Sequence, residues 1–537
     1  MIKLIDLPTS MPSRRDKGFH IRTRFNLSNY WIVASLFIVG KLYLHFATNT
    51  NYELHRDEML YFNMADHLNF GYATVPPVIG FLAFIVKSIF GYSVFGIRLI
   101  PALLGAATIF LIARIVRDLG GGILALIIAA SSFLLSTGFL LFDTLFTPNV
   151  IEQFLWLLTT YLIFKMISRN KPVLWIAIGI LLGVAFLNKY SVLFYILGFF
   201  IAMMFSRHRD MFKSKYFYFS LIAGLIIILP NLLWQYNHGW PVFFHMSELK
   251  RTQMVNLTFS DFFIDIFSLN LLSTLIWLTG LVSLLFLKQE KGNRYIGTAS
   301  LIIILLFLVS KGKGYYILGL IPFLFAYGGY FMEKYLKGRL VYLNYFVLFI
   351  SLSFSLIALP FGIPFMSFHK LMNYSGKTRH FIIYPFYRWE DGKIHNISQI
   401  YADMTGWREL TDYVAKAYGQ LSKEEQKKCT IYVESNYGQA GAIHFYGKAY
   451  NLPEPVSFLE SYTIWSPDTI PDGPFIYINH EEGDIRKLFK NVTKAGQVNN
   501  QFFRENGLLV FLCTSPESTL KEVYRQRAMK EKKLYKR

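Results

Sequence analysis

Two adjacent carboxylates, Asp57 and Glu58, are the residues in this sequence best suited to acid–base chemistry. They lie in the stretch Glu53-Leu-His-Arg-Asp57-Glu58, and the following residues, Met59 to Ala65, have helical character. The pair is therefore expected at a helix N-terminus, where the helix dipole favours anions and fixes their direction. A carboxylate held in this way can take a proton from a hydroxyl group as a general base. The alternative interpretation is an ordinary polar loop.

The elements that must position this pair are unusually apolar. The chain has 537 residues, of which 53% are hydrophobic and 16% are charged. Soluble domains carry about 25% charged residues, so this composition is typical of an integral membrane protein with a polar appendix. The net charge of +20 would suit a nucleic-acid-binding protein. The basic residues lie mostly in short loops between apolar runs, however, which favours a membrane protein that binds no nucleic acid.

Apolar runs of the length needed to cross a bilayer recur along the chain. A spanning helix needs roughly 20 mostly apolar residues. The sequence predicts eleven of them, at 29–47, 97–117, 122–142, 148–167, 172–188, 190–206, 216–236, 266–287, 295–310, 314–332 and 340–360. A further apolar stretch, Val75–Phe90, is too short to span and is expected to lie at the membrane surface as a helix.

The distribution of Lys and Arg predicts how the chain is oriented. Basic residues cluster in alternate loops, at 114–117, 165–171, 207–215, 288–294 and 334–339. Basic loops face the cytoplasm, so we expect a cytoplasmic, basic N-terminus over 1–28. The loop at 48–96, called the first loop below, is then extracytoplasmic. An odd number of spans places the C-terminal region on that same side.

The character of the chain changes at about residue 361, where charged residues, Asn, Gly and Asp become common. Residues 406–418 have helical periodicity, and three short apolar runs are rich in β-branched and aromatic residues, as strands are: 430–434, 474–478 and 508–512. The sequence predicts a transmembrane domain over 29–360 and an extracytoplasmic α/β domain with a basic tail over 361–537. Cys429 and Cys513 are expected to be buried and unpaired there, with a disulfide as the alternative.

The first loop resembles that of a known family. Residues 55–106, beginning HRDEMLYFNMADHLNFGYATVPP, closely resemble the first outer loop of glycosyltransferase family 39, which includes protein O-mannosyltransferases and bacterial lipid A aminoarabinose transferases. Weaker similarities follow in order at 148–156, 183–191, 229–241, 313–322, 401–407 and 436–441, so the resemblance covers nearly the whole chain. It implies the GT-C membrane fold, a polyprenyl-phosphate sugar donor and transfer to an acceptor hydroxyl with inversion at the anomeric carbon.

The resemblance also implies roles for particular side chains. Asp57 matches the acidic motif of the family's first loop and is the expected base, while Glu58 is an alternative base or positions the sugar. Asp143 and Glu152 are equal candidates for a second acidic residue of the site. The structural alternative is helix capping for Asp143 and a polar contact within the bundle for Glu152.

The donor's phosphate and sugar require further groups. Negative charge accumulates on the departing phosphate, so cations are expected beside it, and the candidates are Arg98, Lys189 and Lys313. For Lys189 the alternative is a side chain that reaches the lipid headgroups. Three aromatic residues could stack on a sugar ring or belong to an aromatic belt at the membrane interface, namely Tyr315, Tyr316 and Trp240.

Metal binding is left open by the sequence. His55, His238 and His245 are expected on the outer side, and imidazole together with a carboxylate suits a divalent metal. No HxxxH or HExxH spacing is present. The sequence therefore predicts no definite cofactor and leaves a divalent metal as an alternative.

These observations predict a glycosyltransferase of the cell (inner) membrane that moves a sugar from polyprenyl phosphate to an envelope lipid, glycan or protein. The alternatives are a polytopic transporter or lipid flippase, and a scaffolding protein. A transporter is expected to carry charges near the bilayer middle or to consist of two similar halves. Only Lys41 lies deep in a confidently predicted span, and no repeat is visible.

Overall fold

The computed structural model describes residues 27–252, 254–378 and 384–535, so the predicted cytoplasmic segment 1–28 lies almost entirely outside the described residues. The α-helices are α1 Leu27–Phe46, α2 Arg56–Asn63, α3 Val78–Phe90, α4 Val94–Asp118, α5 Ile123–Leu135, α6 Thr137–Phe142, α7 Pro148–Ser168, α8 Leu174–Asn188, α9 Val192–Met204, α10 Lys215–Asn237, α11 Pro241–Thr252, α12 Phe259–Asn270, α13 Thr274–Phe286, α14 Arg294–Val309, α15 Ile321–Tyr335, α16 Val341–Gly362, α17 Phe368–Thr378, α18 Gln399–Ala402, α19 Trp407–Gly419, α20 Lys423–Lys428, α21 Tyr437–Tyr446, α22 Tyr462–Trp465 and α23 Leu520–Lys532. The strands are β1 Thr430–Val433, β2 Val456–Ser457, β3 Phe475–Asn479, β4 Phe489–Gln497 and β5 Leu509–Pro516.

Each of the eleven predicted spans contains a helix. Within the described residues, five helical stretches are long and apolar enough to cross a membrane, by length and composition: Val94–Asp118, Pro148–Ser168, Lys215–Asn237, Phe259–Phe286 and Gly338–Gly362. The other predicted spans are shorter or interrupted. The one at 122–142, for example, is divided into α5 and α6 by the extended backbone of Ser136. The number of membrane crossings stays a prediction.

Small residues allow the helices of the bundle to approach closely. A Cβ atom on Gly280 of α13 would lie 2.2 Å from the Leu324 carbonyl oxygen of α15, and one on Gly328 of α15 would lie 2.1 Å from that of Ile276. Such contacts are typical of helix packing within membranes, where dispersion replaces the hydrophobic effect as the driving force.

A mixed five-stranded sheet forms the centre of the C-terminal region, in the order β2-β1-β3-β5-β4. The strand β1 pairs in parallel with β2 and β3, whereas β5 runs antiparallel to β3 and β4. The three predicted strands correspond to β1, β3 and β5, and the predicted helix corresponds to α19. Cys429 and Cys513 are both buried and free, as predicted.

The C-terminal region binds directly to the first loop. Asn63 at the end of α2 donates hydrogen bonds of 3.0 Å to the Gly441 carbonyl and to the Tyr462 hydroxyl. Glu53 accepts hydrogen bonds from the backbone N–H groups of Trp407 and Arg408, at 2.7 and 3.3 Å, and so caps α19 from outside its own segment. These contacts hold α2 against the C-terminal region.

Glu53 makes this attachment sensitive to pH. Burial raises the pKa of Glu53 from 4.5 to about 7, although the Trp407 and Arg408 N–H groups oppose the change. The folded protein therefore holds this proton more tightly than the unfolded chain, and the free energy of unfolding falls as the pH rises from about 4.5 through 7. The pKa difference corresponds to at most about 3 kcal/mol. We expect Glu53→Gln to lose less stability than wild type as the pH rises. The measurement is the melting temperature of the purified protein between pH 5 and pH 8.5.

The exposed residue Glu424 provides the matched control for this measurement, since its side chain is 78% exposed. Glu424→Gln should leave the pH dependence of the wild-type melting temperature unchanged. If the melting temperatures of wild type and Glu53→Gln differ by the same amount at every pH, the prediction is contradicted.

Candidate active site

The N-terminus of α2 directs Asp57 and Glu58 into different environments. His55 is the N-cap: its Nδ1 accepts a 3.1 Å hydrogen bond from the Asp57 N–H, while Glu58 accepts one of 2.9 Å from the His55 N–H. This reciprocal capping turns Glu58 into the bundle, where its side chain is completely buried. The Asp57 side chain stays 32% exposed. The expected helix start is confirmed, and only one of the two carboxylates is open to a ligand.

Asp57 lies on the wall of a cavity of about 270 Å³ between the helical bundle and the C-terminal region. The polar residues that line it are His55, Arg56, Asp57, Thr147, Asn149, Asp265, Ser268, Lys313, Tyr315, Arg388, Glu390, Ser398 and Gln399. The Tyr437 hydroxyl, which belongs to α21, donates a 2.5 Å hydrogen bond to Asp57 Oδ1. The bond uses only one of the two carboxylate oxygens, and it holds Asp57 in position on the cavity wall.

Cationic side chains also lie on the cavity wall. Glu390 is surrounded by Arg56, Lys313 and Arg504, with nitrogen–oxygen distances of 3.3, 3.5 and 3.5 Å. Burial alone would raise the pKa of Glu390, but these three cations outweigh it and lower the pKa to about 2. Arg388, also on the wall, pairs with Asp261 at 3.0 Å. Arg56, Lys313 and Arg388 thus lie on the cavity wall, each paired with a carboxylate.

Asp403 holds two of these cations, Arg56 and Arg504, in position. It is buried, and its Oδ2 lies 3.4 Å from Arg56 Nε and 3.2 Å from Arg504 Nη1. Burial raises the pKa of Asp403, with Arg56, His55 and Arg504 opposing the change. Its position fixes Arg56 immediately beside Asp57.

Glu58 and Arg98 bind each other instead of lining the cavity. Arg98 Nη2 lies 2.7 Å from Glu58 Oε2, and both side chains are completely buried. All five N–H groups of Arg98 are used: they donate to Glu58 and to the carbonyl oxygens of Asn49, Tyr52 and Glu53. These contacts favour a structural role for Arg98 and Glu58, while the phosphate contact of Arg98 and the catalytic role of Glu58 stay predictions.

The second pair of candidate acids is also engaged within the bundle. Asp143 lies 2.7 Å from Lys41 Nζ, and both side chains are buried. Glu152 lies 2.9 Å from Lys189 Nζ and accepts a hydrogen bond from Ser191. Neither acid lines the cavity. The ion pair of Glu152 is the polar contact within the bundle that was its structural alternative, whereas Asp143 is engaged by Lys41.

The remaining predicted residues are divided between the cavity and its surroundings. Lys313 and Tyr315 line the cavity. Lys189 does not line the cavity, but its Nζ donates a 2.7 Å hydrogen bond to Oδ1 of Asn149, which does. The same Nζ lies 4.5 Å from the centre of the Tyr316 ring. Trp240 does not line the cavity and packs on Phe243, with 5.8 Å between ring centres.

Known proteins share parts of this sequence and most of this structure. Residues 74–234 match the family model of the dolichyl-phosphate-mannose-protein mannosyltransferases. A lipid A galacturonosyltransferase of Rhizobium johnstonii, RgtD, is 26% identical over 195 residues, which are 36% of this chain and 41% of that protein. The chain thus matches about two fifths of the length of that relative.

Solved structures resemble the chain over nearly its whole length. ArnT from Cupriavidus metallidurans bound to undecaprenyl phosphate superposes with a TM-score of 0.64, at 14% identity, covering 90% of this chain and 98% of that one. ArnT in the apo state gives a TM-score of 0.59 at the same identity and coverage. The chain has the GT-C glycosyltransferase fold. The resemblance to family 39 is confirmed at this level.

Within this GT-C fold, sequence reasoning missed several residues of the cavity. Arg56, Arg388 and Glu390 were not singled out, nor were Asp403 and Tyr437 assigned a role. A signal was present for some of them, because Arg56 adjoins Asp57 and the segments 401–407 and 436–441 contain Asp403 and Tyr437. What the sequence does not contain is the contact between these segments and α2.

Two of the three histidines considered for metal binding in this protein have other partners. His55 caps α2, and His238 Nδ1 lies 2.8 Å from the Trp234 carbonyl oxygen. Burial lowers the pKa of His245 to about 4. Within 27–252, 254–378 and 384–535, no three His, Cys, Asp or Glu side chains are grouped in a way that could hold a metal ion.

Proposed function

We propose that this protein is a membrane glycosyltransferase that moves a sugar from polyprenyl phosphate to a hydroxyl group of an envelope lipid, with Asp57 as the base. The observation that carries the proposal is the partly exposed Asp57 carboxylate, held by Tyr437 in a cavity that also contains Arg56, Lys313 and Arg388. A base and a group of cations in one cavity are what this transfer requires.

The chemistry follows from the positions of these charges. Asp57 accepts the proton of the acceptor hydroxyl group while the oxygen of that hydroxyl group attacks the anomeric carbon of the sugar. The bond from that carbon to the phosphate oxygen breaks on the opposite face, so the configuration inverts, and the electron pair leaves with the phosphate. Lys313 and Arg388 are the cations on the cavity wall that would balance this charge.

The relatives favour a lipid acceptor and a lipid-linked donor. The name of RgtD states that it transfers galacturonic acid to lipid A, and one ArnT structure contains undecaprenyl phosphate. With a cytoplasmic N-terminus, as the basic loops predict, the cavity opens on the outer side of the inner membrane. Both lipids would then reach it from the bilayer.

The test is sugar transfer by the purified protein in lipid nanodiscs. Polyprenyl-phosphate sugars carrying radiolabelled hexose, amino sugar or hexuronic acid are incubated with lipid A, with an envelope glycan or with a Ser/Thr peptide. We expect label to move from one donor class to the lipid alone. Transfer to the peptide or the glycan would overturn the choice of acceptor. Movement of a fluorescent polyprenyl phosphate across proteoliposome membranes, with no label transferred to any acceptor, would favour the flippase alternative.

A further inference from the structure

The N-terminus of α7 borders the same cavity as Asp57, because Thr147 and Asn149 both belong to its wall. The residue before Thr147 is bound to the helix that carries Asp57: the backbone N–H of Phe146 donates a 3.0 Å hydrogen bond to Glu58 Oε1. The N-termini of α2 and α7 are therefore joined by this bond, and both contribute to one cavity.

The first turn of α7 contains N–H groups that have no acceptor within the helix, as the first turn of every helix does. Pro148 occupies the first position and has no N–H group, so those of Asn149 and Val150 remain. Thr147 is the N-cap residue, whose side chain usually accepts a hydrogen bond from such a group, but it makes no such bond. Free N–H groups and the positive end of the helix dipole together favour a bound anion.

The Thr147 hydroxyl group independently indicates that a ligand binds here. Thr147 is only 5% exposed, and its Oγ1 atom is buried without a hydrogen-bond partner among the residues that the structure describes. Buried polar atoms nearly always have a partner, so this one requires an explanation. Since Thr147 lines the cavity, an anion in the cavity could accept the hydrogen of its hydroxyl group.

Asn149 supplies a second donor, and Lys189 determines which one. Lys189 Nζ lies 2.7 Å from Asn149 Oδ1. An ammonium group can only donate hydrogen bonds, so the amide oxygen must be the atom that faces Lys189. Lys189 is itself held by Glu152 at 2.9 Å. The NH2 group of Asn149 is then left to donate to another partner at the cavity wall.

These uncharged donors differ from the cations of the cavity wall, which are paired with carboxylates. Arg56 and Lys313 lie 3.3 and 3.5 Å from Glu390, and Arg388 lies 3.0 Å from Asp261. A bound anion must share these cations with carboxylates, whereas it can take the donors of α7 directly. Donors that are fixed in position before the reaction also stabilise charge that develops during it.

We propose that the N-terminus of α7 is the phosphate subsite of the cavity, where the Thr147 hydroxyl, the Asn149 amide and the N–H groups of the first turn bind the phosphate group of the lipid-linked donor. The inference rests on the proposed function and identifies the part of that site that holds the donor phosphate. As the bond between the anomeric carbon and the phosphate oxygen breaks, negative charge grows on the phosphate, and these donors bind it more strongly.

The experiment measures binding of polyprenyl phosphate, of polyprenol and of inorganic phosphate to the purified protein in nanodiscs, by native mass spectrometry. Thr147→Val keeps the shape of the side chain and removes the hydroxyl group. We expect its affinity for polyprenyl phosphate to fall about 10- to 100-fold, the usual effect of losing a hydrogen bond to a charged group, while its affinity for polyprenol stays the same. The hydroxyl has no partner to lose, so the melting temperature of the ligand-free protein should be unchanged or higher.

Thr159→Val is the matched control, because it makes the same change in the same helix outside the cavity. The Thr159 hydroxyl donates a 2.7 Å hydrogen bond to the Leu155 carbonyl, so this variant should bind polyprenyl phosphate as wild type does.

Asn149→Asp is a second, independent variant. It keeps an oxygen for Lys189 and replaces the NH2 donor by a negatively charged oxygen. We expect the affinity for polyprenyl phosphate to fall by about 100-fold or more, because like charges in close contact strongly disfavour binding.

The transfer assay keeps the two proposals separable. If wild type transfers sugar while Thr147→Val and Asn149→Asp bind polyprenyl phosphate normally, the inference is overturned and the proposed function stands. An equal loss of affinity for polyprenyl phosphate and polyprenol would also overturn it, as would a Thr147-dependent site for inorganic phosphate alone. If wild type transfers nothing but Thr147→Val still loses affinity for polyprenyl phosphate alone, the phosphate subsite stands and the proposed function fails.

Discussion

Asp57→Asn is expected to lower kcat about 10³-fold while KM for the donor changes little. A positioned general base contributes about 10²- to 10⁴-fold. The amide has nearly the same shape and can still accept the hydrogen bond from Tyr437, so the protein should fold and bind its lipid. The measurement is the initial rate of sugar transfer at saturating donor, with donor affinity determined separately.

Asp265→Asn is the matched control, because Asp265 lines the same cavity. Its carboxylate accepts a 3.4 Å hydrogen bond from the Gly314 N–H and does not interact with α2. We expect less than a fivefold effect on kcat. If Asp265→Asn is the inactive variant and Asp57→Asn is active, the base has been assigned to the wrong residue.

Arg98→Met should destabilise the protein by about 3–5 kcal/mol, the usual cost of leaving one member of a buried ion pair without its partner. The variant leaves Glu58 buried without its counter-ion and removes the donors from the carbonyl oxygens of Asn49, Tyr52 and Glu53. These carbonyls form the turn that leads into α2. The melting temperature in detergent should fall sharply, and the yield of folded protein with it.

The double variant Arg98→Met/Glu58→Leu separates charge from packing. Replacing both members of a buried pair by apolar residues is often close to neutral, so part of the lost stability should return. Lys189→Met is the control, because its side chain is partly exposed and only one of its partners, Glu152, is charged. A normal melting temperature for Arg98→Met together with a raised KM for the donor would support the original prediction of a phosphate contact.

The sequence was informative wherever a local pattern determines the outcome. Apolar runs locate the helices of the bundle, and the N-terminus of α2 follows from the acidic pair and the helical stretch after it. The strands β1, β3 and β5 are buried and rich in apolar residues. The edge strand β4 lacks that signal, because it has exposed polar residues such as Lys490 and Lys494 and only two buried apolar ones, Phe489 and Val492. The two-residue β2 is too short to carry one.

Long-range pairings were beyond sequence reasoning, and they decide the roles of the charged residues. Glu58 and Arg98 both seemed available for chemistry because nothing local indicates that they bind each other. The same holds for Lys41 and Asp143, which come from different helices. Asp57 was assigned from the family motif, whereas Tyr437 became relevant only when α21 was found against α2.

The 380 residues between Asp57 and Tyr437 have a consequence for biosynthesis. The ribosome completes Asp57 first, whereas the Tyr437 hydroxyl group that holds it and the cation Arg504 are made only after hundreds of further residues. A nascent or prematurely terminated chain can insert most of its helices and still lack these groups. Under the proposed function, donor lipid is then protected from incomplete copies of the enzyme until the region that contains Tyr437 has folded onto the first loop.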